Sequence, residues 1–101
     1  MDLVQLSMIG KALSDPNRLR IIQLLTCGEQ CGCDLLEQMQ ISQSTLSHHM
    51  KMLEDSKLVS SVRKGKWSHY SLNMDQWTAF RGYIESIRDA GEKRDGNGCC
   101  L

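Results

Sequence analysis

"ISQSTLSHHMKMLEDSKLVSSVRKGKWSHYSL" (Ile41–Leu72) changes its hydrophobic period midway, and that change decides the fold. Ser42 is a good helix N-cap, and Leu46, Met50 and Leu53 behind it recur at helical spacing. The other side of this segment carries Gln43, Ser44, Ser47, His48 and Lys51, with Thr45 beside them. These side chains are polar but mostly uncharged, whereas a merely solvated helix face carries Glu and Lys pairs. The face looks selected for hydrogen bonding. From Leu58 onward two β-leaning runs flank "RKGK" (Arg63–Lys66), which reads as a hairpin with Gly65 in its turn.

Upstream, "QIS" forms a turn after a short helix "CGCDLLEQM" (Cys31–Met39), whose Leu35, Leu36 and Met39 face inward. Before it, "PNRLRIIQLLTCG" (Pro16–Gly28) spreads Leu19, Ile21, Ile22, Leu24 and Leu25 over a wide apolar surface. Ser14 or Asp15 caps that helix, and Pro16 takes its first position, where a missing N–H is harmless. The first helix, over residues 2–13, has apolar side chains at Leu3, Leu6 and Ile9. Downstream, "DQWTAFRGYIESIRDA" (Asp75–Ala90) restores helix, with Trp77, Phe80, Ile84 and Ile87 on one stripe. The order α-α-α-α-β-β-α, mainly α with a basic-tipped β-hairpin, is that of a winged helix-turn-helix. Residues 1–91 are expected to form one DNA-binding and dimerisation domain, and residues 92–101 a flexible tail containing cysteines.

A chain of 101 residues supports one modest core. It has no apolar run of the roughly 20 residues that span a bilayer, and no basic leader. The expectation is a soluble cytoplasmic protein without a membrane partner. Net charge is zero, yet residues 40–70 hold five basic and two acidic side chains, together with all three histidines. A basic centre in a neutral chain points to an anionic partner. The helix from Gln43 offers short donors and acceptors to base edges in the major groove of double-stranded DNA. Arg63, Lys64 and Lys66 suit its phosphate backbone or minor groove. His48 and His49 diverge by about 100° on a helix, so they do not chelate one ion together. One is expected to face DNA and the other to pack or cap, while His69 reads as structural. Specific sites are normally read by dimers. The stripes of the first and last helices (Leu3, Leu6, Ile9, Trp77, Phe80, Ile84, Ile87) are the expected homodimer interface. An enzyme is not supported, since there is no thioredoxin-like βαβ pattern, Gly-rich cofactor loop or paired carboxylates.

Five cysteines in a chain without an export signal point to free thiols, metal binding or redox chemistry. Cys27, Cys31 and Cys33 cluster, and Cys99 and Cys100 are adjacent near the end. The start of a helix favours the thiolate, the soft ligand of heavy-metal and metalloid ions. Helical residues two apart point about 200° from one another, so Cys31 and Cys33 are expected to share an ion only by distorting their helix. That distortion, just before the reading helix, would be the switch.

Taken together, "LSDPNRLRIIQLL", "ISQSTLSHHMKMLEDSKLV" and "RKGKWSHYSL" make the chain resemble the ArsR/SmtB family of small repressors, over roughly residues 5 to 90. The resemblance implies dimeric repression of resistance or homeostasis operons, relieved when an inducer binds. Members that bind zinc on the last helix use Asp, His and Glu there, and this helix has no histidine. Arsenic-responsive members carry Cys-x-Cys-Asp-Leu-Cys. Here "CGCDL" (Cys31–Leu35) is followed by Leu36 where a third cysteine would stand. Arsenite or antimonite, As(III) or Sb(III), is thus the implied inducer at Cys31 and Cys33, with no organic cofactor. The third thiolate that these ions favour would come from Cys99 or Cys100, or from Cys27. Rival readings within the fold are a thiol redox or sulfide-responsive repressor, and a cadmium, lead or zinc sensor.

Overall fold

The computed structural model describes residues 1–88, so Cys99, Cys100 and the expected boundary at residue 91 lie outside the described residues. Five helices and a small sheet follow in order: α1 (Leu3–Ala12), α2 (Pro16–Leu25), β1 (Gln30–Cys31), α3 (Gly32–Met39), α4 (Gln43–Asp55), β2 (Val59–Lys64), β3 (Trp67–Leu72) and α5 (Met74–Ser86). This is a winged helix-turn-helix. No helix among the described residues is long and apolar enough to cross a membrane.

Local chemistry sets the boundaries. Asp2 caps α1, and Asp15 caps α2 by accepting from the Asn17 and Arg18 amides, with Pro16 in the first turn. Gln40 ends α3 in the left-handed region at φ 56°, and Ser42 caps α4 by accepting from the Thr45 amide at 3.1 Å. Gly65 has a φ of 68° at the first of the two residues joining β2 to β3, where a side chain would be strained.

The core is built from Ile9, Ala12, Ile21, Leu25, Leu35, Leu46, Met50, Leu53, Leu58 and Val59. It lies where α1, α2 and α3 meet the apolar face of α4 and the base of the hairpin. Three expectations change here. Ile9 is fully buried within the protomer and leaves the interface set. Trp77 and Phe80 are half-buried against this core, Trp77 donating its indole N–H to the Leu58 carbonyl at 2.9 Å. On α2 it is Arg18 that is buried while Leu19 is 47% exposed, the reverse of the apolar pattern.

The sheet holds a strand that the sequence does not announce. β1 pairs antiparallel with β3, setting Gln30 against Tyr70 and Cys31 against His69, and the strand order is β1-β3-β2. Cys31 is therefore the extended N-cap of α3, at φ −81° and ψ 159°, and not a helical residue.

Candidate DNA interface and thiol site

Gln43, Ser44, Thr45, Ser47, His48 and Lys51 are all exposed on α4, and Arg63, Lys64 and Lys66 are exposed on the hairpin. The fold brings the two sets together. Gln43 and Ser47 share a polar cleft of about 100 Å³ with Arg63, Lys66, Trp67 and Gly32. Not every member is equally available. Thr45 accepts from the Ser42 hydroxyl at 2.8 Å, Lys51 lies 3.7 Å from Asp55, and Lys64 donates to Glu29 at 3.1 Å.

The two neighbouring histidines part company as expected, His48 outward and His49 inward. Buried Arg18 donates to His49 Nδ1 at 3.1 Å, to the Ala12 carbonyl at 2.9 Å and to the Lys11 carbonyl at 3.1 Å. Guanidinium has no acceptor, so Nδ1 of His49 accepts and its proton sits on Nε2 in the neutral ring. Burial holds His49 below its ordinary pKa; nearby Asp15 pulls it upward, while the charges of Arg18 and His48 push it down. Burial opposes ionisation of Asp15, but the Arg18 and Asn17 amides nonetheless keep its carboxyl below the usual range. The α4 helix is thus tied to the end of α1 and the start of α2 by a satisfied buried network.

At the start of α3 the two thiols converge. Cys31 and Cys33 are joined as a disulfide, with their Cα atoms 5.3 Å apart. Their sulfurs and an Asp34 carboxylate oxygen lie within 4.8 Å of one another, a donor set able to hold an ion once the disulfide is reduced to two thiolates. The expected helix distortion is not needed. Because Cys31 is extended, its side chain turns toward Cys33 while α3 stays regular, its Asp34 amide donating to Cys31 Sγ at 3.4 Å. Cys27 is exposed beyond the end of α2 and is not in this group.

Two residues at this site were missed by sequence reasoning. Asp34 adjoins Cys33, so its place in a donor set was legible from adjacency. Glu29 accepts from Lys64 at 3.1 Å and lies 3.3 Å from His69 Nδ1, pairs remote in sequence and without a local signal. The Lys64 hydrogen bond and charge, aided by His69, hold the Glu29 carboxyl below its ordinary value.

Leu3 is 78% exposed, Ile84 49% and Ile87 60%, while Leu6 is half-buried. Val4 and Met8 add to the bare apolar surface of α1.

The family model described as "Bacterial regulatory protein, arsR family" matches residues 15–61. The arsenical resistance operon repressor of Staphylococcus xylosus is 47% identical over 100 residues, 99% of this chain and 92% of that protein. The crystal structure of an ArsR family transcriptional regulator superposes with a TM-score of 0.83 at 22% identity, over 93% of this chain and 97% of that one. A homodimeric winged helix-turn-helix DNA-binding domain from Mycobacterium bovis, solved by NMR, gives 0.70 at 23% identity over 96% and 90%. At those identities the two structures speak for the fold alone.

Proposed function

The chain belongs to the arsR family of bacterial regulatory proteins and is a transcriptional repressor, not an enzyme; from that premise we propose that it silences an arsenical-resistance operon in the cytoplasm and lets go of it when trivalent arsenic closes on Cys31 and Cys33. The observation that carries this reading is the convergence of the two sulfurs at the start of α3, the helix that leads into the DNA-reading helix. A cellular dithiol or thiol pool reduces the disulfide, giving two electrons and two protons to yield two thiols and itself becoming a disulfide; arsenite, As(OH)3, then condenses with those thiols by losing two waters and keeps one hydroxyl. A third sulfur from Cys99, Cys100 or Cys27 would displace that hydroxyl as a third water, and Asp34 supplies an oxygen donor beside the pair. Antimonite has the same valence and softness.

The repressor works as a homodimer reading two half-sites of operator DNA. In it, Leu3, Leu6, Ile84 and Ile87 meet the partner, with Trp77 and Phe80 as backing. The α4 face and the hairpin tip contact the duplex: Gln43, Ser44, Ser47 and His48 toward bases, Arg63, Lys64 and Lys66 toward phosphates. Residues 1–91 form this unit and residues 92–101 the tail that brings Cys99 and Cys100. The disulfide favours a second reading, in which an oxidant is the inducer. There hydrogen peroxide takes two electrons and two protons from the thiols, giving the disulfide and two waters.

The test is operator release followed by fluorescence anisotropy. Under reducing conditions arsenite and antimonite are expected to release the operator from wild type, well before cadmium or zinc. Cys31→Ser is expected to abolish the response, and truncation after Asp95 to raise the arsenite needed. Wild-type behaviour in both variants rejects the thiol assignment. Release by peroxide alone, with no response to arsenite, decides for the oxidant.

A further inference from the structure

The cysteine pair adjoins the wing, Cys31 pairing directly with β3, and the contacts are specific. Gly32, the residue between the two cysteines, lies under the Trp67 indole. A Cβ added at Gly32 would stand 3.2 Å from Trp67 Cε3 and 3.7 Å from Tyr70 Cε2, so a glycine there lets β3 rest directly on the sensor backbone. Cys31 itself is in register with His69 in the β1–β3 ladder. Two residues before Cys31, Glu29 grips Lys64 and His69, one on each strand of the wing. Gly32 and Trp67 also form part of the wall of the cleft into which Gln43, Ser47, Arg63 and Lys66 project.

We propose that inducer capture at Cys31 and Cys33 is transmitted to DNA through the wing, with Trp67 as the positioning residue that reads the sensor through Gly32. The proposal rests on the thiol site assigned above and adds its route of action. Closing the thiols on an ion sets the path of the Cys31–Gly32–Cys33 backbone. A displacement of that backbone changes the surface on which the indole rests, because Gly32 has no side chain to stand between its backbone and the ring. β3 and β2 are one paired ribbon, so what displaces Trp67 also displaces Arg63 and Lys66 at its tip. The α4 helix meets the wing through the exposed Ser61–Glu54 hydrogen bond, but it is braced through His49 by the buried Arg18 network.

A double-mutant comparison tests this. Operator affinity is measured with and without arsenite, under reducing conditions at one low ionic strength, for wild type and for Arg63→Gln/Lys66→Gln, with arsenite uptake followed independently by calorimetry. Wild type is expected to weaken on arsenite by a factor within the usual allosteric range of about 5–150-fold. The wing variant starts weaker, and if the wing carries the signal its factor falls below about twofold. Trp67→Phe, which keeps a ring in the hairpin but withdraws atoms from Gly32, is expected to shrink the factor while the free protein still takes up arsenite. An unchanged factor in both variants, with arsenite bound, assigns the signal to α4 and overturns the proposal alone. Failure of wild type to bind arsenite overturns the proposal and the thiol assignment together.

Discussion

The two parts of this molecule proposed to contact DNA are held in opposite ways. The α4 helix is anchored from behind by Arg18, buried to 8% exposure, whose three hydrogen bonds all reach backbone carbonyls or His49. Beyond its core-packed base, the wing is held at the surface by an exposed carboxylate, Glu29, by the Ser61–Glu54 hydrogen bond and by one indole resting on a glycine. Buried satisfied networks are rigid and costly to break, whereas exposed ion pairs are weak and screened by salt. The difference teaches which reading element a small ligand can move. The inducer's differential binding energy has only to exceed the weaker of the two anchors.

Breaking the strong anchor should have the largest effect. Arg18→Leu leaves His49 Nδ1 and the Ala12 and Lys11 carbonyls without their donor. It is expected to destabilise the fold by about 3 kcal/mol, measured by denaturant unfolding at fixed protein concentration. An effect under about 1 kcal/mol would mean that the network is not the brace described.

Next comes the pressure point of the weak anchor. Gly32→Ala pushes its Cβ against Trp67, and the indole must give. Operator affinity without inducer is expected to fall about three- to tenfold, with less loss of fold stability than in Arg18→Leu. Unaltered affinity would show that the wing tolerates a shifted indole.

A pH titration sharpens the same contrast. His49 is depressed below its ordinary 6.5, so below that pH the unfolded ring binds a proton that the folded one refuses. Stability is therefore expected to decline as pH falls from 6.5 toward the lower folded value, and to decline less in His49→Gln. Asp15, held below 3.8, enters only in stronger acid. Equal slopes in the two proteins would remove His49 from the account.

The smallest expected effect is at the exposed pair. Glu29→Gln frees Lys64 for phosphate, tightening operator binding by less than about fivefold at low salt and not at all at high salt. Weaker binding would mean that Glu29 places the wing more than it restrains it.

Much of this architecture is legible from the chain. Asp15 with Pro16, Ser42 and Gly65 punctuate it at the positions where caps and a tight turn are found, and the period change after Asp55 marks the wing. The reading face was legible because its polar residues share one helix side. Less local features were not. A strand of two residues carries no period, so Cys31 reads as helix and the two sulfurs as pointing apart. Nothing beside Arg18 in the sequence marks it as buried, because its partners come from α1 and α4, the latter 31 residues away. The contact between Glu29 and Lys64 spans 35 residues and leaves no mark on either neighbourhood. Ile9 and Ile84 look alike in a helical stripe, and only packing decides that one is core and the other bare.

The central claim is that thiol capture and operator binding oppose one another through Cys31 and Cys33. Reciprocity gives the most direct measurement: arsenite affinity, by calorimetry under reducing conditions, of the free protein and of its operator complex. The account predicts that operator weakens arsenite binding by the same factor by which arsenite weakens operator binding, and that Cys33→Ser removes both effects. Equal arsenite affinity with and without DNA would contradict it.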